Sequence, residues 1–205
     1  MCRTLSVDET TVYILSEFCG GGNLYDYVKT FGHLNEMHVR FIAVQLCLVL
    51  QYLHSQDIIF SNLICENVLL DERGYIRLTG FSSSLFECKT PYYGFVGYTE
   101  CLPPEMLLNQ GVDKQYDFWM LGCLLYGKNQ YSAFRVELLE GHPPFQASTV
   151  SQTLQKILVG ELTYVHASPG AQQFVNSFLT ANPNHRLGSD MEKVRRHNVG
   201  LIGIG

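Results

Sequence analysis

The residues of this chain that could do chemistry are concentrated in one stretch, residues 58–70 (IIFSNLICENVLL). Besides Glu66, its polar members are Ser61, Asn62 and Asn67, with Ile64 between the two amides. An amide cannot take up a proton at neutral pH, so Asn62 cannot act as a general base. An amide alone is also a poor Mg²⁺ site, because this ion binds chiefly through carboxylates and phosphates. The two amides therefore offer little catalytic capacity.

The other reactive residue types show no spacing typical of a phosphate or metal site. The triple glycine at 20–22 is not a GxGxxG loop, since Tyr25 stands where the last glycine belongs, and no lysine follows at P-loop spacing. The seven cysteines are odd in number and lack Cys-x-x-Cys spacing, and the seven histidines show no metal spacing. We expect free, mostly buried thiols in a reducing compartment.

Composition excludes several classes of protein. The chain has 205 residues, 46% hydrophobic and 16% charged, which suits one globular domain or one large lobe. Its net charge of −5 argues against a nucleic-acid surface. The N-terminus lacks the apolar core of a secretory signal, and no apolar run approaches the ~18 residues of a membrane span.

Hydrophobic patterning predicts a mainly α chain with a short β insert. We expect strands at residues 10–18, 67–70 and 75–78. We expect helices at residues 23–28, 35–54, 117–126, 146–158 and from 168 onward, with an irregular segment at 81–105. Asn23, Asn35 and Ser168 are the expected N-caps. Residues 41–50 are apolar almost all round, which predicts a helix buried on most sides.

Six further segments, in their order and spacing, resemble a eukaryotic protein kinase. They read SEFCGGGNL at 16–24, YLHS at 52–55, LPPEML at 102–107, DFWMLG at 117–122, GHPPF at 141–145 and NPNHRLG at 182–188. With residues 58–70 in the place of the catalytic loop, the resemblance covers about residues 10–198. It is closest to the AGC group, and within it to cyclic-nucleotide-dependent serine/threonine kinases. It implies a kinase-like C-terminal lobe preceded by a remnant of the N-lobe strand and hinge.

The resemblance implies structural roles for three charged residues. Glu105 matches the glutamate that ends the family's activation segment, and Arg186 matches the arginine that pairs with it. Asp117 matches the aspartate that caps the catalytic loop from the central helix. Removing one partner of such a buried ion pair costs roughly 3–5 kcal/mol.

The resemblance also implies that phosphotransfer chemistry has been lost. Asn62 stands at the position of the catalytic aspartate, Ile64 at that of the loop lysine, and Gly80 at that of the metal-binding aspartate. Asn67 is retained and is a weak candidate ligand for a nucleotide-bound metal. Losing a positioned base typically costs ~10²–10⁴ in rate.

We expect neither a bound cofactor nor activation by phosphorylation. ATP and Mg²⁺ are implied by the family alone; the hinge-like residues Glu17 and Cys19 offer at most weak backbone hydrogen bonds to an adenine. Asn23 replaces the acidic residue that often meets the ribose. Ser61 replaces the arginine that clamps the activation-segment phosphate, and Gly94 stands where the family has the phosphorylated threonine.

Three irregularities bear on domain boundaries. We assign residues 1–19 to the strand remnant and hinge, 20–198 to the lobe and 199–205 to an atypical tail. Residues 127–136 interrupt the match, and either a true surface insertion or an imperfect gene model explains them. The family's glycine-rich loop, strand lysine and its glutamate partner lie before the hinge and are not in this sequence, so the chain resembles a truncated domain.

The leading functional hypothesis is a cytoplasmic pseudokinase-like module that binds or scaffolds proteins without transferring phosphate. The alternative is an ATP-dependent AGC serine/threonine kinase whose N-lobe is missing from this sequence. A fragment without independent function is a third possibility. We expect protein partners, no nucleic acid and no membrane. Because the family's first lobe packs near residues 12–18, we expect that segment to expose apolar side chains.

Overall fold

The computed structural model describes residues 2–31, 34–87, 91–94, 97, 101–127, 138–140, 143–189, 192 and 194. Its helices are α1 (Leu24–Phe31), α2 (Glu36–Ser55), α3 (Pro104–Leu107), α4 (Gln115–Tyr126), α5 (Val150–Val159) and α6 (Pro169–Phe178). Its strands are β1 (Cys2–Val7), β2 (Val12–Ser16), β3 (Val68–Leu70) and β4 (Ile76–Leu78). Single 3₁₀ turns lie at Cys65–Asn67, Phe81–Ser83, Pro183–His185 and Leu187–Ser189. The described chain is therefore mainly helical with two small antiparallel sheets.

Helix α4, expected from the sequence at residues 117–126, lies at the centre of the core. All its residues from 116 to 126 are buried, and it packs against α2 and α6. Trp119 stacks on Phe145 with their ring centroids 5.5 Å apart. Gly122 allows α6 to come close, because a Cβ there would stand 2.8 Å from the Leu179 side chain. The close approach follows from the missing side chain.

Helix α2 begins where its cap predicted but is less buried than expected. The Asn35 side chain accepts a hydrogen bond from His38 N at 2.9 Å. The expectation of burial on most sides is wrong, since Phe41 is 42% and Leu48 46% exposed. Apolar residues on every side of a helix do not reveal which stripe faces the core. Here eight buried residues form that stripe, and the opposite side faces solvent.

By length and composition, α2 is the one helix of the described residues that could cross a membrane. The core helix of a soluble protein passes the same test. Its buried stripe packs on α4, so its hydropathy is explained by the core.

Strands β3 and β4 form a short hairpin behind the loop of residues 58–67. Val68 pairs with Leu78 and Leu70 with Ile76. The turn is held by Asp71, whose side chain accepts hydrogen bonds from Arg73 N and Tyr75 N, both at 2.9 Å. β3 starts one residue later than predicted because Asn67 ends a 3₁₀ turn.

Strands β1 and β2 form an antiparallel hairpin, and β1 was not predicted. Asp8 holds its turn by accepting hydrogen bonds from Thr10 N, Thr11 N and the Tyr13 hydroxyl. These donors, Thr10 first, lower the pKa of Asp8. We call β1, β2 and Phe18 the apolar ribbon. Its large apolar side chains are exposed, as expected for residues 12–18: Leu5, Val7, Val12, Tyr13, Ile14, Leu15 and Phe18.

The expected insertion lies outside the described residues, apart from Gly127, and so does the tail 199–205. The chain on either side of it is held together, because Glu140 N donates a hydrogen bond to Tyr126 O at 2.8 Å. Glu140 is 5% exposed, and its carboxylate accepts hydrogen bonds from Val165 N, His166 N and Ala167 N at 2.7–3.1 Å. A buried charge is tolerated where several donors surround it.

The N-termini of α2 and α6 are joined by one carboxylate. Glu36 accepts hydrogen bonds from Ser168 N at 2.8 Å and from the Ser168 hydroxyl at 2.7 Å. Ser168 is also the predicted N-cap of α6, accepting from Ala171 N. The predicted irregular segment 81–105 ends two residues earlier than expected, since Pro104 begins α3.

Candidate functional site

Asp117, in the first turn of α4, holds the loop of residues 58–67 from beneath. Its Oδ2 accepts hydrogen bonds from Phe60 N at 2.8 Å and interacts with His54 Nε2 at 2.7 Å. Its Oδ1 accepts from Ser61 N at 2.8 Å. Asp117 is completely buried. Three polar partners therefore stabilise a charge that would otherwise be costly to desolvate.

Ser61 adopts a left-handed backbone conformation with φ +58°, which is uncommon for a residue other than glycine. Asp117 holds its N–H, and its hydroxyl donates to Ser83 O at 2.5 Å. A second hydroxyl, that of Ser84, donates to Phe60 O at 3.0 Å. These bonds fix the loop against the segment that follows β4.

Three of the predicted site residues lie together. The Asn67 amide donates to Asn62 O at 2.9 Å, and the Asn62 amide donates to Gly80 O at 3.1 Å. Gly80 has φ +81° and precedes the 3₁₀ turn Phe81–Ser83. Ile64 is half-buried beside them, and its N–H donates to Asn62 O at 3.1 Å. Both amide NH₂ groups thus bind backbone carbonyls within the site.

The site does not fit the Mg²⁺ that a kinase fold implies. Positions 62, 64, 67 and 80 carry no carboxylate, whereas Mg²⁺ is usually held through one or two. A Cβ at Gly80 would stand 2.5 Å from the Asn67 side chain, so the place of a side chain at position 80 is filled. Within the described residues, no group of three His, Cys, Asp or Glu side chains could hold a metal.

Cys65, next to Ile64, is not an activated nucleophile. Burial, and after it the negative charge of Glu66, raises the pKa of the Cys65 thiol. A thiol with a raised pKa stays protonated at neutral pH and is unreactive. Cys65 therefore belongs to the core, where it is 5% exposed.

The triple glycine docks the hinge-like segment onto β3. Gly21 N donates to Leu70 O at 3.0 Å, and Leu70 N donates to Gly22 O at 2.8 Å. A Cβ at Gly21 would stand 2.7 Å from Leu70 O, so glycine is required by the close approach of two backbones. Cys19 is half-buried before this turn, and Glu17 is exposed. Because β3 follows Asn67 directly, the glycine turn connects the hinge-like segment to the site.

Arg186 and Glu105 form a buried two-pronged ion pair away from these residues. The guanidinium donates to the two carboxylate oxygens at 2.7 and 2.6 Å. Arg186 is 1% and Glu105 4% exposed. Further donations go to Thr180 O and Gln115 O, both at 3.0 Å. The pair joins α3 to the start of α4 and to the segment after α6, which is a structural arrangement.

Sequence reasoning missed His54 and the serines 83 and 84. His54 contacts Asp117 and makes an edge-on contact with Phe118 at 5.2 Å between ring centroids. The available signal was a histidine in the last turn of a long, mainly apolar helix, just before the loop. Nothing in the local sequence around the serines indicates that their hydroxyls reach the loop.

Comparison with known proteins now decides the family. The family model described as "Protein kinase domain" matches residues 2–199 of the chain. The chain belongs to the protein kinase domain family. The AGC-group placement is confirmed, because its relatives are AGC-type serine/threonine kinases.

Three relatives illustrate the similarity. Protein kinase 2 of Dictyostelium discoideum is 37% identical over 182 residues, which cover 87% of this chain and 36% of the relative. Serine/threonine-protein kinase SCH9 of Saccharomyces cerevisiae is 34% identical over 193 residues, 92% of this chain and 22% of the relative. The cGMP-dependent protein kinase, isozyme 1, of Drosophila melanogaster is 32% identical over 197 residues, 93% of this chain and 24% of the relative. The chain therefore spans 22–36% of the length of these kinases.

Proposed function

We propose that this protein-kinase domain transfers no phosphate and acts by binding other proteins. The observation that carries the proposal is the hydrogen bond from the Asn62 amide to Gly80 O. In the resemblance described above, Asn62 stands where a kinase has its base, and here its NH₂ group donates. The Asn62 amide is not basic, so neither its NH₂ group nor its Oδ1 can take up the proton of a substrate hydroxyl.

The neighbouring positions support the same conclusion. Ile64 offers no cation to a transferring phosphate, and Gly80 offers no carboxylate to a metal. We assign residues 20–198 to the kinase-like C-terminal lobe, 1–19 to an N-lobe strand remnant and hinge, 127–136 to an insertion and 199–205 to a tail. The residues Glu105, Asp117 and Arg186 stabilise the fold that would present a binding surface.

The cellular setting is part of the proposal. Cys47, Cys65 and Cys123 are buried free thiols, which suits the reducing cytoplasm. The net charge of −5 favours protein partners over nucleic acid. The exposed apolar ribbon is a surface of the kind that protein contacts cover.

A phosphotransfer assay tests the proposal. The purified chain with ATP, Mg²⁺ and basic peptides is expected to transfer no phosphate above background. Asn67→Ala is the control, because a contaminating kinase does not respond to a change in this chain. Turnover by the parent chain that disappears in Asn67→Ala would overturn the proposal.

One alternative has an observation in its favour. The relatives are serine/threonine kinases, and the chain matches 22–36% of their length. The alternative function is ATP-dependent phosphotransfer to protein by a longer AGC-type kinase that contains this chain. Sequencing the full transcript and assaying its product discriminates the two. Micromolar, Mg²⁺-dependent ATP affinity measured by calorimetry supports the alternative, and its absence supports the binding module.

A further inference from the structure

Two cysteine side chains meet where the segment before α3 packs on the central helix α4. Cys101 lies just before α3 and is half-buried, whereas Cys123 lies in α4 and is 2% exposed. Their thiols share a side-chain hydrogen bond, and both thiols are free in this structure. The two residues are 22 positions apart in the chain, so the fold and not the local sequence brings them together.

The backbone of Cys101 is held against α4 by Trp119. The indole N–H of Trp119 donates a hydrogen bond to Cys101 O at 3.0 Å. The indole is itself fixed, since it stacks on Phe145 at 5.5 Å and the Arg186 guanidinium lies 4.9 Å from its ring centroid. Cys123 follows Trp119 by one helical turn, so both lie on the same side of α4. The contact between the two thiols therefore belongs to a well-packed part of the core.

The two thiols differ in how they meet solvent. Burial, and after it the hydrogen bond with Cys101, raises the pKa of the Cys123 thiol. Cys123 is therefore protonated at neutral pH and closed to dissolved reagents. Cys101 is partly open to solvent, so a small oxidant reaches its sulfur first. An accessible thiol beside a buried one is the arrangement in which the second thiol can resolve the oxidised form of the first.

We propose that Cys101 and Cys123 are a redox site, at which hydrogen peroxide converts the two thiols into a disulfide that joins the segment before α3 to α4. The Cys101 sulfur attacks a peroxide oxygen, the O–O bond breaks, and Cys101 becomes a sulfenic acid with release of water. The Cys123 sulfur then attacks the sulfenic sulfur. The S–S bond forms, the S–O bond breaks, and hydroxide leaves as water with the Cys123 proton. In total the two thiols lose two electrons and two protons, and the peroxide is reduced to two waters.

The link is reversible and acts on the stability of the fold. A dithiol restores both thiols by thiol–disulfide exchange, in keeping with the transient disulfides of a reducing compartment. Closing a loop of this length removes entropy from the unfolded chain and raises the folding equilibrium constant roughly 10²-fold. The oxidised chain should therefore unfold at a higher urea concentration than the reduced chain. The inference concerns thiol chemistry and goes beyond the question of phosphotransfer.

Peptide mapping of the full native chain after treatment with hydrogen peroxide tests the proposal. The remaining thiols are alkylated, and an unreduced digest is analysed by mass spectrometry. We expect a disulfide-linked pair of peptides containing Cys101 and Cys123, which disappears when dithiothreitol is added before digestion. The same treatment in urea is the reference, because an unfolded chain pairs its seven cysteines without regard to tertiary contacts. The link should dominate in the native chain and be a minor product in urea.

Two variants separate the roles of the thiols. Cys123→Ala removes the resolving thiol, so peroxide should leave a sulfenic acid on Cys101 that dimedone traps in larger amount than in the parent. Cys47→Ala is the matched control, because Cys47 is also a completely buried thiol within a helix. It should leave the link between Cys101 and Cys123 unchanged.

The outcomes decide in both directions. A native chain in which Cys101 stays reduced, or is oxidised without a link to Cys123, overturns the proposal. A link that forms no more often in the native chain than in urea also overturns it. If Cys123→Ala does not fold, the peptide map of the parent still decides, together with a rise in the urea midpoint that dithiothreitol abolishes. None of these readouts is a phosphotransfer rate, so failure of the redox site is distinguishable from failure of the proposed function.

Discussion

At the residue scale, Asp117 connects the central helix to the loop of residues 58–67. It is fully buried, and its carboxylate forms hydrogen bonds with His54 and with the backbone N–H groups of Phe60 and Ser61. The left-handed conformation of Ser61 depends on this contact, because an unfavourable φ persists only where the surroundings impose it. One carboxylate thus holds the loop at Phe60 and Ser61.

Replacing Asp117 with alanine is expected to lower the free energy of unfolding by about 3–5 kcal/mol, because buried donors lose a charged acceptor. Urea unfolding measures the loss. Asp113→Ala is a control just before α4, since Asp113 accepts one exposed hydrogen bond, from Gln115 N at 2.8 Å. Its loss should stay near or below about 1 kcal/mol. Equal losses for the two variants contradict the role given to Asp117.

Some residues of the site could be predicted from the sequence and others could not. The motif order indicated Glu105, Asp117 and Arg186 because each has a fixed neighbour in a recognised pattern. The roles of His54 and Ser83 could not be predicted, since their contacts form only when segments distant in sequence come together. The close approach of the Asn67 side chain to Gly80 likewise depends on how side chains are placed, which residue types do not specify.

At the element scale, Glu36 couples the start of α2 to the start of α6. Burial raises the pKa of its carboxyl, but the Ser168 donors and the charge of Arg40 outweigh burial, and the net pKa is lowered from its usual 4.5. A carboxyl whose folded pKa lies below its unfolded pKa stabilises the fold above the unfolded value. That stability is lost as the pH falls through the folded pKa.

Glu36→Gln is therefore expected to reduce stability at neutral pH and to flatten its decline below about pH 4.5. Urea midpoints measured across the acid range check this. Glu161→Gln is the control, because Glu161 is exposed. A parent and a Glu36→Gln variant with parallel acid profiles would show that the lowered pKa contributes nothing to stability.

A hydrogen bond at the C-terminal end of helix α4 supports the proposed insertion. Glu140 N donates to Tyr126 O although the two residues are fourteen apart. Without the ten residues 127–136 they would be four apart, which is the spacing of an α-helical hydrogen bond. The bond is the one that an uninterrupted α4 would make.

Deleting residues 127–136 is accordingly expected to leave stability unchanged or raised. Shortening the connection lowers the entropic cost of closing it, by a small amount because that cost grows slowly with length. Urea unfolding of the parent and the deletion variant decides. A loss of several kcal/mol on deletion would show that the segment is packed structure, since burying each large apolar side chain is worth about 1.5–3 kcal/mol.

Elements were predictable to the extent that their signals are local. Asn35 and Ser168 cap helices as predicted, because a cap is read from one residue and its neighbours. β1 was missed, since its sequence CRTLSV alternates polar and apolar residues over only four positions, 4–7, and becomes a strand by pairing with β2. The exposed side of α2 was missed because burial depends on what packs there.

At the scale of the whole molecule, the apolar ribbon stands out from the core. Isolated two-stranded hairpins are marginal in water, and large exposed apolar patches mark contact surfaces or aggregation sites. Ile14 is 67% and Phe18 91% exposed. The chain alone should therefore associate with itself or with another protein.

We expect the purified chain to associate with increasing concentration and to bind an apolar dye. Leu5 and Ile14 are cross-strand partners, so Leu5→Lys with Ile14→Glu places an opposite-charge pair there and keeps the hairpin paired. Light scattering should show less association for this double variant. Val165→Lys is the control, because Val165 is 74% exposed away from the ribbon. A parent that stays monomeric at high concentration and binds no dye contradicts the expectation.

The bond from Ser168 to Glu36 has a consequence for how the domain is made. The two residues are 132 positions apart, and Arg186 reaches Glu105 across 81. During synthesis, α2 emerges long before its partner at the start of α6, so its carboxylate waits without that contact. Contacts so distant in sequence slow folding and prolong the exposure of apolar segments. The nascent domain therefore completes its fold only after residue 186 has left the ribosome, and until then its apolar segments stay exposed to aggregation.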